Sequence, residues 1–194
     1  MAATFSAEQI LMAKPNGNGK RHGTQQSLNS AVKSICDVMR RSNCAGAMNY
    51  VPELTWILFL RILDERETHE AEEAEALGIP FTPSLQAPFR WRDWAAPESA
   101  MRQDKNAKIW DFVHGQLLPH LKALEKQPGA GARQKIVSEV MSGVERSRID
   151  SEKNFLDVID KVHELSNETI DQTHVFTLSQ VQRGLAAQDG RERE

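Results

Sequence analysis

The chain has 194 residues, of which 40% are hydrophobic and 26% charged, with a formal net charge of -3. That length fits one domain whose core needs neither metal nor disulfide support, and the balance excludes a disordered chain. It also excludes nucleic-acid binding through bulk charge, so any DNA contact has to come from a local basic patch or from partner subunits. Two cysteines, Cys36 and Cys44, read as reduced thiols. The most apolar window, Trp56 to Leu63, is interrupted by Arg61 and closed by Asp64, too short for a membrane span. With no continuous apolar leader at the N-terminus, the expected location is cytoplasmic.

In chain order, residues 1–26 contain KPNGNGKRHGTQQ and read as a mobile tail, with a short helix near Ser6 to Met12. The spacing of Leu28, Ala31, Val32, Ile35, Val38 and Met39 predicts a first helix over 27–41. A second is expected to start at Pro52, tolerated at a first helical position because its missing N–H has no partner there anyway. Its apolar residues Leu54, Ile57, Leu58, Leu60, Ile62 and Leu63 surround the helix, which then turns acidic and ends at Gly78 as a C-terminal cap. Such a helix would be ~39 Å long.

Four prolines in 79–98 exclude a long helix there, yet Phe81, Phe89, Trp91 and Trp94 have to pack. This stretch reads as a docked irregular segment. A third helix is expected over 106–127, kinked or broken by Pro119. A short one follows over 133–141, then another from Ser151, a favourable N-cap, to Leu165. The run 173–194 begins apolar and finishes polar. The whole predicts an all-α fold, an irregular helical bundle of about five to seven helices with a Pro/Trp-rich docked loop.

Catalytic spacing is absent. No Asn-Pro-Pro or Asp-Pro-Pro occurs, Gly129-Ala130-Gly131 follows no strand, and no phosphate-cradling G-x-x-x-x-G-K-[ST] exists. His114 and His120 are poorly spaced for one helical face, and His69 with Glu73 reads as an exposed charged pair. No catalytic, cofactor-binding or metal-ligating residue is therefore assigned. The acidic run Asp64 to Glu75 reads as a solvated helix face. The candidate DNA-contact residues are basic: Lys33, Arg40 and Arg41 near the end of the first helix, and Arg90, Arg92 and Arg102 around the tryptophans. The competing reading gives them ordinary surface roles, with Arg90 and Arg92 stacked on Trp91 or Trp94. Lys14, Lys20 and Arg21 of the tail could also touch DNA.

Four stretches in order carry a resemblance. Leu28 to Met39 forms an opening amphipathic helix, and Leu58-Phe59-Leu60-Arg61-Ile62-Leu63-Asp64 matches an L-F-L-[KR]-x-L-D pattern. Phe89-Arg90-Trp91 with Trp94 matches an R-W-x-x-W turn, and Phe176 to Val181 reads FTLSQV. Together they resemble the N-terminal region of the methylation (M) subunit of type I restriction–modification enzymes, over about residues 28–185.

The resemblance implies a helical domain that helps enclose DNA ahead of an adenine-N6 methyltransferase domain using S-adenosylmethionine. It implies as partners a specificity (S) subunit, a restriction (R) subunit and, through the assembled complex, double-stranded DNA, with no membrane. The expected organisation is a tail at 1–26, the helical domain at 27–181 and a divergent tail at 182–194. The methyltransferase motifs do not follow, so the chain alone is expected to be inactive and to bind no cofactor itself. The family's helical pattern fails from Gln182 onward. One reading is a reading-frame shift near Leu185, since Gln188 to Glu192 read one base later can give the family's Lys-Met-Gly-Glu; the other is a truncation. The alternative reading is a stand-alone helical protein-interaction adaptor.

Overall fold

The computed structural model describes residues 25–42 and 47–165, with side chains from 30–42 and 52–165. The expected tails, apart from Gln25 and Gln26 at the start of the first helix, lie outside the described residues, as do the Ser6 to Met12 helix, Cys44 and the 176–181 segment. Those described contain helices and turns and no strand.

Helix α1 spans Gln25–Arg40 and buries Ile35, Cys36, Val38 and Met39 on one face, leaving Lys33 and Asp37 outward. Helix α2 spans Ala47–Leu77, 31 residues or about 46 Å at the usual rise. It starts ahead of the expected Pro52 because that proline withdraws only one N–H from the hydrogen-bond ladder close to the helix start. Its N-terminal half is covered on most sides, with Leu54, Trp56, Ile57, Leu58, Leu60 and Leu63 buried. Its C-terminal half presents Glu72, Glu73 and Glu75 to solvent. The helix ends as its sequence predicts. Gly78 takes φ +68, its N–H donates to the Glu75 carbonyl at 3.1 Å, and the Ile79 N–H reaches the Ala74 carbonyl at 2.9 Å. This paired arrangement satisfies two carbonyls that the helix end would leave open.

The Pro-rich segment is docked. Glu67 of α2, 5% exposed, accepts the Ser84 N–H at 3.0 Å and the Ser84 hydroxyl, fixing the chain as it turns back. Short helices α3 (Trp91–Trp94) and α4 (Ala100–Gln103) follow. Trp91 and Trp94 are fully buried and meet edge to face at 5.5 Å between ring centroids. The Ala87–Pro88 bond is cis.

Pro119 breaks the regular α ladder without ending the helix. Helix α5 (Ile109–Phe112) runs into a π turn at Val113–Leu117, then α6 (Leu118–Ala123) and a 3-10 turn at Leu124–Lys126. A proline cannot bond the carbonyl four residues back, and its ring crowds that carbonyl. The wider turn just before it removes both problems while the axis continues. Helix α7 covers Ala132–Met141. Ser138 lies on its buried side, accepting the Glu125 N–H at 3.0 Å and donating to the Leu121 carbonyl at 2.9 Å. Helix α8 covers Glu152–His163, capped by the Ser151 hydroxyl on the Asn154 N–H as expected.

Counting α5 through the 3-10 turn as one helical path, the described residues hold seven helical units, within the range the sequence predicts. Helix α8 is the hub: α1 and α2 both lie against it, α3 packs on α2, and α7 on α6. Phe155 of α8 centres the core, 6.3 Å from Trp56, 6.5 Å from Trp94 and 5.6 Å from Trp110 between ring centroids.

Candidate functional site

The structure separates the six basic candidates into two groups. Lys33 and Arg41 are exposed on or just after α1, and half-buried Arg40 beside them pairs with Asp37 at 3.2 Å. Arg41 donates through Nε to the Asp37 carbonyl at 3.3 Å. This end of α1 is a basic surface with one carboxylate inside it.

The other three arginines are committed to carboxylates. Arg90 grips Asp93 with Nε and Nη2, both at 2.8 Å, and so closes the start of α3. Asp93 holds the Arg90 guanidinium even further above its ordinary value. Arg92 reaches Asp64 of α2 at 3.0 Å and also Thr68. Arg102 donates Nη2 to both Asp160 oxygens, at 2.7 and 2.9 Å, joining α4 to α8. Their first partners are thus acids of this chain, and their geometry explains how the Trp segment is fastened.

Two further ties complete that fastening. Arg133 of α7 bridges Glu67 at 3.1 Å and Glu70 at 2.7 Å, and Glu70 also takes Arg66 at 3.0 Å. Hydrogen bonding from Arg133 holds the Glu70 carboxyl below its usual range. At the other edge the Trp91 indole N–H donates to His163 Nδ1 at 3.1 Å. An indole nitrogen only donates, so His163 is the neutral tautomer with its proton on Nε2. Burial pushes the His163 pKa down, and repulsion from Arg61 adds to it.

A cleft that sequence reasoning missed lies where the start of α2 meets the loop 143–150. It encloses about 210 Å³. Pro52, Trp56 and Val144 form its apolar walls, and Glu53, 2% exposed, forms its floor. Exposed Glu145, Arg146 and Arg148 stand at its rim. The Glu53 carboxylate accepts the Ser147 hydroxyl and, at 3.1 Å, the Arg148 N–H. Burial pushes the Glu53 carboxyl up, and Ser147, the Arg148 N–H, the Trp56 indole and the Arg148 charge offset this only in part. Trp56 favours the anion as a nearby N–H dipole, its geometry falling short of a hydrogen bond.

His114 holds the same loop from the other side. Its Nε2 accepts the Ser147 N–H at 3.2 Å, so Nδ1 carries the proton and donates to the Trp110 carbonyl at 2.8 Å. The sequence did contain a signal: Glu53 is an acid at the head of the apolar run that follows Pro52. A charge in that setting is either paired or functional.

Among the described residues no three His, Cys, Asp or Glu side chains gather as metal ligands. No described strand exists to carry a Gly-rich cofactor loop, and the cleft is smaller than the roughly 300–1,000 Å³ of small-molecule sites. His120, half-buried, stacks on Phe89 at 3.7 Å between ring centroids, and burial lowers its pKa. No described helix is long and apolar enough to cross a membrane.

Comparison with known proteins matches residues 28–162 to the family described as HsdM N-terminal domain. The chain is similar to the type I restriction enzyme EcoEI methylase subunit of Escherichia coli, at 27% identity over 151 residues, covering 77% of this chain and 29% of that protein. Among solved structures it resembles a modification subunit assigned to a type I restriction enzyme of Vibrio vulnificus YJ016. There the TM-score is 0.65 at 29% identity, over 86% of this chain and 36% of that one. It also resembles a chain from a study of complex assembly and conformational transition in the type I R-M system. That TM-score is 0.61 at 34% identity, over 84% of this chain and 30% of the other. The chain thus spans about a third of the length of these relatives.

Proposed function

Since the chain belongs to the HsdM N-terminal domain family of type I methylase subunits, we propose that it acts as an assembly and DNA-enclosing unit of a cytoplasmic type I restriction–modification complex. The observation that supports this most is the match over 28–162, which coincides with the packed unit from α1 to α8. In this reading 27–181 is the functional domain, flanked by tails at 1–26 and 182–194. Methyl transfer from S-adenosylmethionine belongs to a separate catalytic domain, and target choice to a specificity subunit. A restriction subunit joins the same complex.

The exposed basic end of α1 is the better DNA surface. Lys33 and Arg41 carry charge into solvent, whereas Arg90, Arg92 and Arg102 would have to leave a carboxylate to meet a phosphate. Such contacts position a duplex without reading its sequence.

The test is co-expression with a type I specificity subunit, followed by size-exclusion chromatography and DNA titration at two salt concentrations. A stable complex is expected, and Lys33→Ala with Arg41→Ala should weaken its DNA affinity and flatten the salt dependence by roughly two phosphate contacts. Failure to form a complex refutes the assembly role. An unchanged salt slope refutes the DNA surface.

A further inference from the structure

The Glu53 cleft has a use that the clamp on the loop 143–150 does not exhaust. Glu53 is 2% exposed, yet it borders a space open to solvent, and its oxygens accept one hydroxyl and one backbone N–H. A carboxylate has about four lone-pair sites, so acceptor capacity remains for a planar donor beside the Trp56 N–H dipole. The volume, about 210 Å³, suits one long side chain better than a cofactor. Pro52, Trp56 and Val144 offer apolar wall for a methylene stem, which amphipathic side chains cover while their charged end seeks a partner. The cleft is also stiff before anything enters it. Ser147 is held from one side by Glu53 and from the other by His114, so the site needs little ordering on binding.

We propose that this cleft is a socket for an arginine side chain of a partner polypeptide, its guanidinium meeting Glu53 and its stem lying between Pro52 and Val144. The proposal rests on the assembly reading above and names the chemistry of one contact within it. The charges lining the cleft cancel, Glu53 and Glu145 against Arg146 and Arg148, so the attraction for a cation is local to the Glu53 carboxylate. Burial raises the Glu53 carboxyl, and an entering cation would favour its charged form. Guanidinium is the better occupant than ammonium, since its flat fork matches a carboxylate with two parallel bonds.

The test is a titration of the 194-residue protein with N-acetyl-argininamide, read by NMR at the Arg148 amide and the Trp56 indole. Saturable shifts with a dissociation constant on the order of millimolar are expected, and a several-fold weaker response to N-acetyl-lysinamide. Glu53→Gln should abolish them. Because that substitution could also loosen the loop, Gly143→Leu supplies the second arm. An added Cβ there meets nothing within 4 Å, so the side chain should fill the mouth and leave the Glu53–Ser147 contact in place. No saturation, an equal response to lysinamide, or undiminished binding in Gly143→Leu would overturn the socket. The specificity-subunit complex separates the two readings. A wild-type complex that Gly143→Leu forms equally well overturns the socket's part in assembly and leaves the assembly role standing. A wild-type chain that binds argininamide yet forms no complex refutes assembly instead.

Discussion

Replacing Phe155 by Ala removes the ring on which three tryptophans converge. The side chain is fully buried, so the whole transfer term is lost, about 1.5–3 kcal/mol. The gap left behind adds to this, because the rings around it relax only partially, which places Phe→Ala at about 3–5 kcal/mol. Ring pairs at 5.6, 6.3 and 6.5 Å each contribute about 0.5–1.5 kcal/mol beyond area burial. Part of that is already inside the Phe→Ala range, so the expected loss lies near its upper end, about 4–5 kcal/mol. For a domain of this size the midpoint should fall by roughly 8–20 °C. Phe155→Leu keeps most of the volume and loses mainly the ring geometry, for about 1.5 kcal/mol. Urea unfolding followed by far-UV circular dichroism measures both. A loss under about 1.5 kcal/mol for Ala, or equal losses for Ala and Leu, would falsify the assignment of Phe155 as the packing centre.

Two other outcomes follow from local geometry. Gly78→Ala should destabilise by about 1–2 kcal/mol in thermal melts, purely through the left-handed backbone, since an added Cβ at φ +68 meets nothing within 4 Å; an unchanged midpoint would show that the α2 end relaxes freely. His163 has a folded pKa below its ordinary 6.5, so the unfolded chain binds the proton first. Its contribution is complete above about pH 6.5 and is lost as pH falls through that value toward the folded pKa. His163→Asn keeps an acceptor for the Trp91 N–H and should flatten the acid limb of a stability-versus-pH curve; an unaltered curve would remove His163 from that limb.

Helix α1, the cap at Gly78 and the Ser151 start of α8 were legible in the sequence because each is set by neighbours within a few residues. The early start of α2 was not, since Pro52 reads as a first-turn residue whether or not another turn precedes it. Pro119 announced a disturbance but not its form. A break, a kink and a π turn all relieve the same clash, and the packing of Leu117, Leu118 and Leu121 decides among them. The partners of the arginines were hidden for a similar reason. Arg90 has its acid three residues away and was readable as a helix-start pair, but Asp64 and Asp160 lie 28 and 58 residues from Arg92 and Arg102. Spacing says nothing about partners that distant. The Glu53 cleft needed Ser147, 94 residues on, before it could be seen.

The pairing of α1 with α8 has a consequence during synthesis. Helix α1 ends at Arg40 and its main packing partner begins at Glu152, so more than a hundred residues must leave the ribosome before the two can meet. At roughly 5–20 residues per second that interval is on the order of ten seconds. Throughout it the stripe Ile35, Val38 and Met39 has no α8 to cover it, and the nascent chain carries an adhesive first helix. Chaperone contact with a stalled nascent chain should therefore be strongest while α1 is out and α8 is not, and should fall sharply once residue 163 clears the exit tunnel.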